Sequence, residues 1–127
     1  MPPKQRTFNV LEQAVLDAIC EAYREDREIL HSQISTAILK KRENTGCGFF
    51  THFSVDRAST KPISGERLRN GPLVKVTGMR HGMGFILWLD DGYPNCLEGY
   101  AYGDDSTTKL DFENVAFEIL EPGSGEG

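Results

Sequence analysis

The stretch GFILWLDDGYPNCLEGYAYGDD, residues 84–105, constrains the fold of this chain more than any other. Two runs rich in apolar and aromatic residues flank Asp91-Gly92, a dipeptide suited to a two-residue hairpin turn. Such a turn pairs Ile86 with Leu97 and Phe85 with Glu98, and sets Pro94 within the returning strand, which is awkward unless that strand lies at an edge. A four-residue loop, Asp91 to Pro94, shifts the register by two and leaves side-chain parity unchanged. Either way, one face carries Phe85, Leu87, Leu89, Cys96, Glu98 and Tyr100, and the other Ile86, Trp88, Leu97, Gly99 and Ala101. Both faces are apolar, whereas a sheet covered on one side alternates apolar with polar. Three arrangements satisfy the pattern: a sheet curled around its own core, a second face against another copy, or a second face against a different partner. Gly84, Gly99 and Gly103 would ease curling.

Glu98 falls among these apolar residues. A buried carboxylate without a partner is costly, so it shifts its pKa or finds a cation. It reads as an acid or base in a pocket, as an ion pair with Arg42 or Arg80, or as a residue at an exposed strand margin.

Upstream, Asn9 and Glu12 have the spacing of a capping box. Leu11, Ala14, Val15, Ala18, Ile19 and Ala22 then recur at helical spacing. Asp26 suits the cap of a second helix, lined by Leu30, Ile34, Ala37, Ile38 and the stem of Lys41, with Lys40, Lys41 and Arg42 near its carboxyl end. NTGCG reads as the helix stop. GFFTHFSV reads as a strand, with Phe49, Thr51, Phe53 and Val55 on one face and Phe50, His52 and Ser54 on the other. Residues 56–72 show no periodicity and are locally basic, with Arg57, Lys61, Arg67 and Arg69. PLVKVTG, with Val74 and Val76 inward, and NVAFEIL, with Val115, Phe117 and Ile119 on one side, supply further strands. Helices followed by strands imply an α+β fold: two N-terminal helices packed on a curved, mostly antiparallel sheet of four to five strands. The expected organisation is a flexible leader at 1–7, a single domain over 8–121 and a disordered tail at 122–127.

The 127 residues carry a net charge of −5, which argues against a phosphate-backbone binder. The basic loop at 56–72 lacks the aromatic residues that stack on bases. No apolar run reaches the roughly 18 residues a membrane span needs, and the first ten residues have no apolar signal core. The expected location is therefore the cytoplasm, with Cys20, Cys47 and Cys96 as reduced thiols.

No cofactor is expected. Cys47, His52, His81 and Cys96 lack the paired spacings of a zinc site, and Cys47 and His52 have opposite parity on a straight strand. The glycines of RHGMG and NTGCG do not make a phosphate loop, and Asp104-Asp105 lacks calcium-loop spacing. Cys47 or Cys96 with His52 or His81 and Glu98 could be written as a nucleophilic set, as most chains with these residue counts allow. RENTGCGFFTHF places Arg42, Glu43, Asn44 and Thr45 at the hand-over from helices to sheet, where a cleft could form.

RENTGCGFFTHFSV and HGMGFILWLDDGYPNCLEGYAYGDD together resemble a family of small bacterial proteins of unknown function. These pair an RExTGxGFFT-like segment with a GxGFxLxxxDGxxxxLEGYxYG-like one. The resemblance spans about half the chain and implies an α+β single domain of bacterial origin, with no activity attached. Tyr93-Pro94-Asn95-Cys96 departs from its more ordinary strand start.

The functional expectation is a non-enzymatic protein-interaction domain, of an inhibitor or immunity type, or a homo-oligomer. The candidate interaction face is Phe85, Leu87, Trp88 and Tyr100, and acidity suits a basic partner. The alternative is a small enzyme or ligand-binding protein with a polar pocket near Arg42, Glu43, His52 and Glu98.

Overall fold

The computed structural model describes residues 8–120, so the expected leader at 1–7 and tail at 122–127 lie outside the described residues. Helix α1, Val10–Ala22, begins with the capping box: Glu12 N donates to Asn9 Oδ1 and Asn9 N to Glu12 Oε1, both at 2.8 Å. A 3₁₀ turn at Arg24–Asp26 leads into α2, Arg27–Ser35. Asp26 makes no side-chain cap; its carboxylate takes Arg69 instead, at 3.3 Å.

The second helix is shorter than its apolar spacing suggests. Ser35 Oγ donates to Ser32 O and Thr36 Oγ1 to Gln33 O, so two hydroxyls take the carbonyls that another turn would have used. Residues expected on that helix form strand β1, Ile38–Asn44, with Leu39 buried and Ile38 exposed. The NTGCG glycines accordingly serve a β1–β2 turn rather than a helix stop, with Gly46 at φ 88°.

Six more strands follow: β2 Gly48–Ser54, β3 Leu68–Asn70, β4 Val74–Val76, β5 Met83–Asp90, β6 Tyr93–Ala101 and β7 Phe117–Ile119. The sheet thus has seven strands where four to five were expected, because β1 replaces helix and β3 arises within the aperiodic segment. The order is β1-β2-β6-β5-β4-β7, with β3 also pairing with β5, and every pairing is antiparallel. Leu11, Val15, Leu16 and Ile19 of α1 and Leu30 of α2 share one buried cluster with Phe49, Phe53, Phe85, Leu87 and Leu97. No helix among the described residues is long and apolar enough to cross a membrane.

The central hairpin corrects the expected register. Asp91 and Gly92, at φ 53° and 87°, form the two-residue turn between Asp90 and Tyr93. Leu89 faces Pro94, but Trp88 faces Cys96, so Asn95 is an extra residue bulged out of β6. Leu87 therefore faces Leu97, Ile86 faces Glu98 and Phe85 faces Gly99. The bulge turns the rest of β6 over. Leu97 and Gly99 join the face of Phe85 and Leu87, while Cys96, Glu98 and Tyr100 join that of Ile86 and Trp88. Pro94 lies past the last β2–β6 pair, His52 with Cys96, so its missing N–H costs no bond of that ladder.

The aperiodic segment is held by its own cations. Arg69, only 6% exposed, donates to the carbonyls of Ser64, Glu66 and Leu68. Arg57 pairs with Asp90 at 2.9 Å and lies over the Tyr93 ring at 4.7 Å. Buried Gln33 of α2 donates to Lys61 O and Gly92 O, fastening segment and hairpin turn to the helix.

Candidate functional site: the outer sheet face

Side-chain alternation gives the sheet two faces of different character. On the inner face Phe49, Thr51 and Phe53 of β2, Phe85, Leu87 and Leu89 of β5, and Leu97 of β6 are all buried. On the opposite face the register sets residues in cross-strand rows. Glu43, Phe50, Glu98, Ile86 and Asn70 run across β1, β2, β6, β5 and β3 in one row. Lys41, His52, Cys96, Trp88 and Leu68 form the next. Phe50, Ile86, Trp88, Glu98 and Tyr100 are each partly open to solvent.

Glu98 sits at the middle of this face. Trp88 Nε1 donates to Glu98 Oε1 at 3.0 Å, across the diagonal of the β5–β6 pair. The Tyr100 ring reaches over Gly84, where any Cβ would come within 2.5 Å of its Cζ and hydroxyl, so the glycine makes room for the aromatic ring. Tyr102, 40% exposed, meets the Tyr100 ring edge-on at 5.4 Å and extends the aromatic strip. At the β1 side, His52 stacks on Phe50 with ring centres 6.0 Å apart and pairs with Glu43 at 2.8 Å, while Lys41 reaches Glu43 at 4.0 Å.

The expected residues are therefore redistributed. Of the candidate interaction face, Trp88 and Tyr100 are on the outer side, whereas Phe85 and Leu87, 1% and 0% exposed, belong to the core because strand alternation turns them inward. Of the candidate polar pocket, Glu43 and His52 meet, and Glu98 lies two strands from Glu43 on the same face. Arg42 points the other way. Its guanidinium grips Glu12 of α1, Nε to Oε2 at 2.9 Å and Nη2 to Oε1 at 2.8 Å, and Thr51 Oγ1 donates to the same carboxylate. That bond raises the Arg42 pKa. Arg42 lines a cleft of about 230 Å³ with Glu12, Asn44, Phe49 and Phe112, where its partner is an internal carboxylate that is 1% exposed. Asn44 is committed as well: its Nδ2 donates to Thr107 O at 2.8 Å.

Neither buried thiol is set up as a nucleophile. Cys96 is directly across from His52, but burial, then the charges of Glu98 and Glu43, push its pKa up to about 11. It is protonated at neutral pH, the reverse of an activated cysteine. His52 is turned to Glu43. Cys20 is buried, with its pKa pushed up to about 12, and Cys47 is exposed in the β1–β2 turn.

Sequence reasoning missed Phe50 as a surface residue and the Trp88–Glu98 pair. The pair follows from the bulge, whose trace in the sequence was Pro94-Asn95 at the head of an otherwise regular strand; Phe50 follows from the alternation of β2, which turns Phe49 and Thr51 inward. Comparison with protein-family models, with curated proteins and with solved structures finds no match for the chain.

Proposed function

We propose that this chain is a non-enzymatic, cytoplasmic protein-interaction domain. Its two helices cover one face of a curved sheet, and the opposite face receives another protein. The observation that supports this reading is the outer face itself: Phe50, Ile86, Trp88, Tyr100 and Leu68 adjoin one another, rimmed by Lys41, Glu43 and Asn70. A central aromatic patch inside a polar rim is the usual anatomy of a protein interface. The net charge of −5 favours a basic partner and an inhibitor or immunity type of role. The rival enzymatic reading loses support because Arg42 is spent on Glu12 and the Cys96 thiol is held neutral.

The test compares the wild type with a double variant, Phe50→Ser with Trp88→Ser, whose fold is first verified by circular dichroism. Light scattering across a dilution series and affinity purification from the native host are run on both. The expected result is an association, with a second copy or with another protein, that the double variant loses. An association kept by the folded double variant overturns the assignment of this face, and a wild-type monomer that recovers no partner overturns the interaction reading itself.

A further inference from the structure

Inside its polar rim the outer face is mostly apolar and aromatic, and at its centre Glu98 stands between Phe50 and Ile86 on the neighbouring strands and between Cys96 and Tyr100 along its own. Trp88 Nε1 fixes Oε1, and no described residue donates to Oε2. The basic side chains of β1 and β2 are engaged elsewhere: Lys41 and His52 with Glu43, and Arg42, on the opposite face, with Glu12. Among the described residues no ion pair includes Glu98.

Covering this face with a wholly apolar partner would strip water from a carboxylate and leave it with one indole N–H, which is unfavourable. A partner that supplies a cation at this point replaces the lost water with a charge-assisted bond, and the aromatic rings beside the carboxylate favour positive charge over their faces. A guanidinium suits the geometry better than an ammonium, because a planar group can stack on a ring while its edge donates to a carboxylate oxygen. We propose that Glu98, with Trp88 and Phe50, forms a receptor for one arginine side chain of a basic partner protein. This rests on the outer face being the interaction surface, and it specifies what the partner presents at the middle of that surface. Trp88 has two tasks in this arrangement: its N–H orients the carboxylate, and its ring forms one wall.

Trp88 is the only tryptophan in the chain, so its indole N–H gives a single side-chain resonance that already reports the bond to Glu98. The experiment titrates ¹⁵N-labelled full-length protein with a short peptide carrying one central arginine between apolar residues. The same peptide with citrulline, which keeps the shape and removes the charge, and the lysine version are run alongside. The arginine peptide is expected to move the indole resonance and the amides of Phe50, Glu98 and Tyr100 saturably. Affinity should be about tenfold weaker for citrulline and for the Glu98→Gln variant, weaker in about 0.5 M salt, and intermediate for lysine. Glu98→Gln keeps size and an oxygen acceptor for the indole, and its unchanged amide spectrum elsewhere verifies the fold. Equal binding of the arginine and citrulline peptides at these resonances overturns the cation receptor while leaving the face as an interface. Resonances that move only outside this face, or not at all, also overturn the receptor, and the interface reading then stands or falls on the double variant. An indole resonance that shifts equally in wild type and Glu98→Gln assigns the contact to the aromatic rings and removes Glu98 from it.

Discussion

Glu12 and Arg42 join the first helix to the first strand through two parallel hydrogen bonds of 2.8 and 2.9 Å, one partner 1% exposed and the other open to solvent on one side. The carboxylate also takes the amide of Asn9 and the hydroxyl of Thr51, so one buried charge ties together the helix start, β1 and β2. Replacing Arg42 by Ala strands that charge. Urea unfolding should show a loss of about 2 kcal/mol, below the usual cost of breaking a fully buried pair because water reaches the vacated side. Glu12→Gln introduced into the Arg42→Ala background should recover part of it, since a neutral amide does not require a counter-charge. A further loss in the double variant would refute this account.

Adjacent residues of β5 should respond unequally to truncation. Leu87 is fully buried opposite Leu97, and Leu87→Ala should cost about 3 kcal/mol. Trp88, the larger side chain, faces outward and stays partly open to water, and Trp88→Ala should cost less, about 2 kcal/mol, because its removal leaves no enclosed cavity in the core. Chemical denaturation of the two variants checks the face assignment directly, and a costlier Trp88→Ala would invert it.

The hairpin turn tolerates no side chain at its second position. A Cβ on Gly92 would stand 2.6 Å from Ile63 O and 2.7 Å from Pro62 Cβ, and φ is 87°. Gly92→Ala should therefore destabilise by about 2 kcal/mol or more. It should also speed amide exchange at Ile63, whose N–H donates to Gly92 O at 2.9 Å. Exchange at Ile63 unchanged from wild type would show that the segment does not depend on the turn.

Two thiols should make the fold sensitive to alkali. Burial first, then Asp17 and Glu21, push Cys20 up from 9.0 to about 12, and burial, then Glu98 and Glu43, push Cys96 from 9.0 to about 11. Above pH 9 the unfolded chain releases these protons while the folded chain retains them. Stability contributed by the neutral thiols is thus present below about pH 9 and is lost as pH rises through the folded values. Thermal melts from pH 8 to 11 should show a smaller decline for Cys96→Ala than for wild type. At pH 8 a disulfide reagent should label exposed Cys47 and spare the other two until unfolding.

Local signals in the chain were readable where local chemistry decided the outcome. The capping box at Asn9 and Glu12 and the alternation of Phe49 to Phe53 each appear in the structure as their spacing suggests, and of the two loops open at Asp91 the two-residue turn is the one that forms. Segments decided by competition were not readable. Ile34, Ala37, Ile38 and Lys41 fit a helical stripe, yet Ser35 and Thr36 cap the helix from within and pairing with β2 claims the rest. The strand at Leu68–Asn70 owes its place to β5 and to the internal bonds of Arg69, neither of which leaves a periodic trace. The site suffered most, since every assignment after Pro94 was counted by twos across an extra residue.

Asn95 itself is exposed, and nothing about its side chain holds the outer face together. What matters at this position is that a residue exists at all. The bulge behaves as a phase marker: residues before it and after it are counted on opposite parities, and Glu98 reaches Trp88 only because the count has been offset by one. Exchange of Asn95 for another polar residue leaves that offset intact. Loss of the position would carry Leu97 to the surface and Glu98 toward the core in one step, so chain length here, more than residue identity, decides which side chains of β6 face outward.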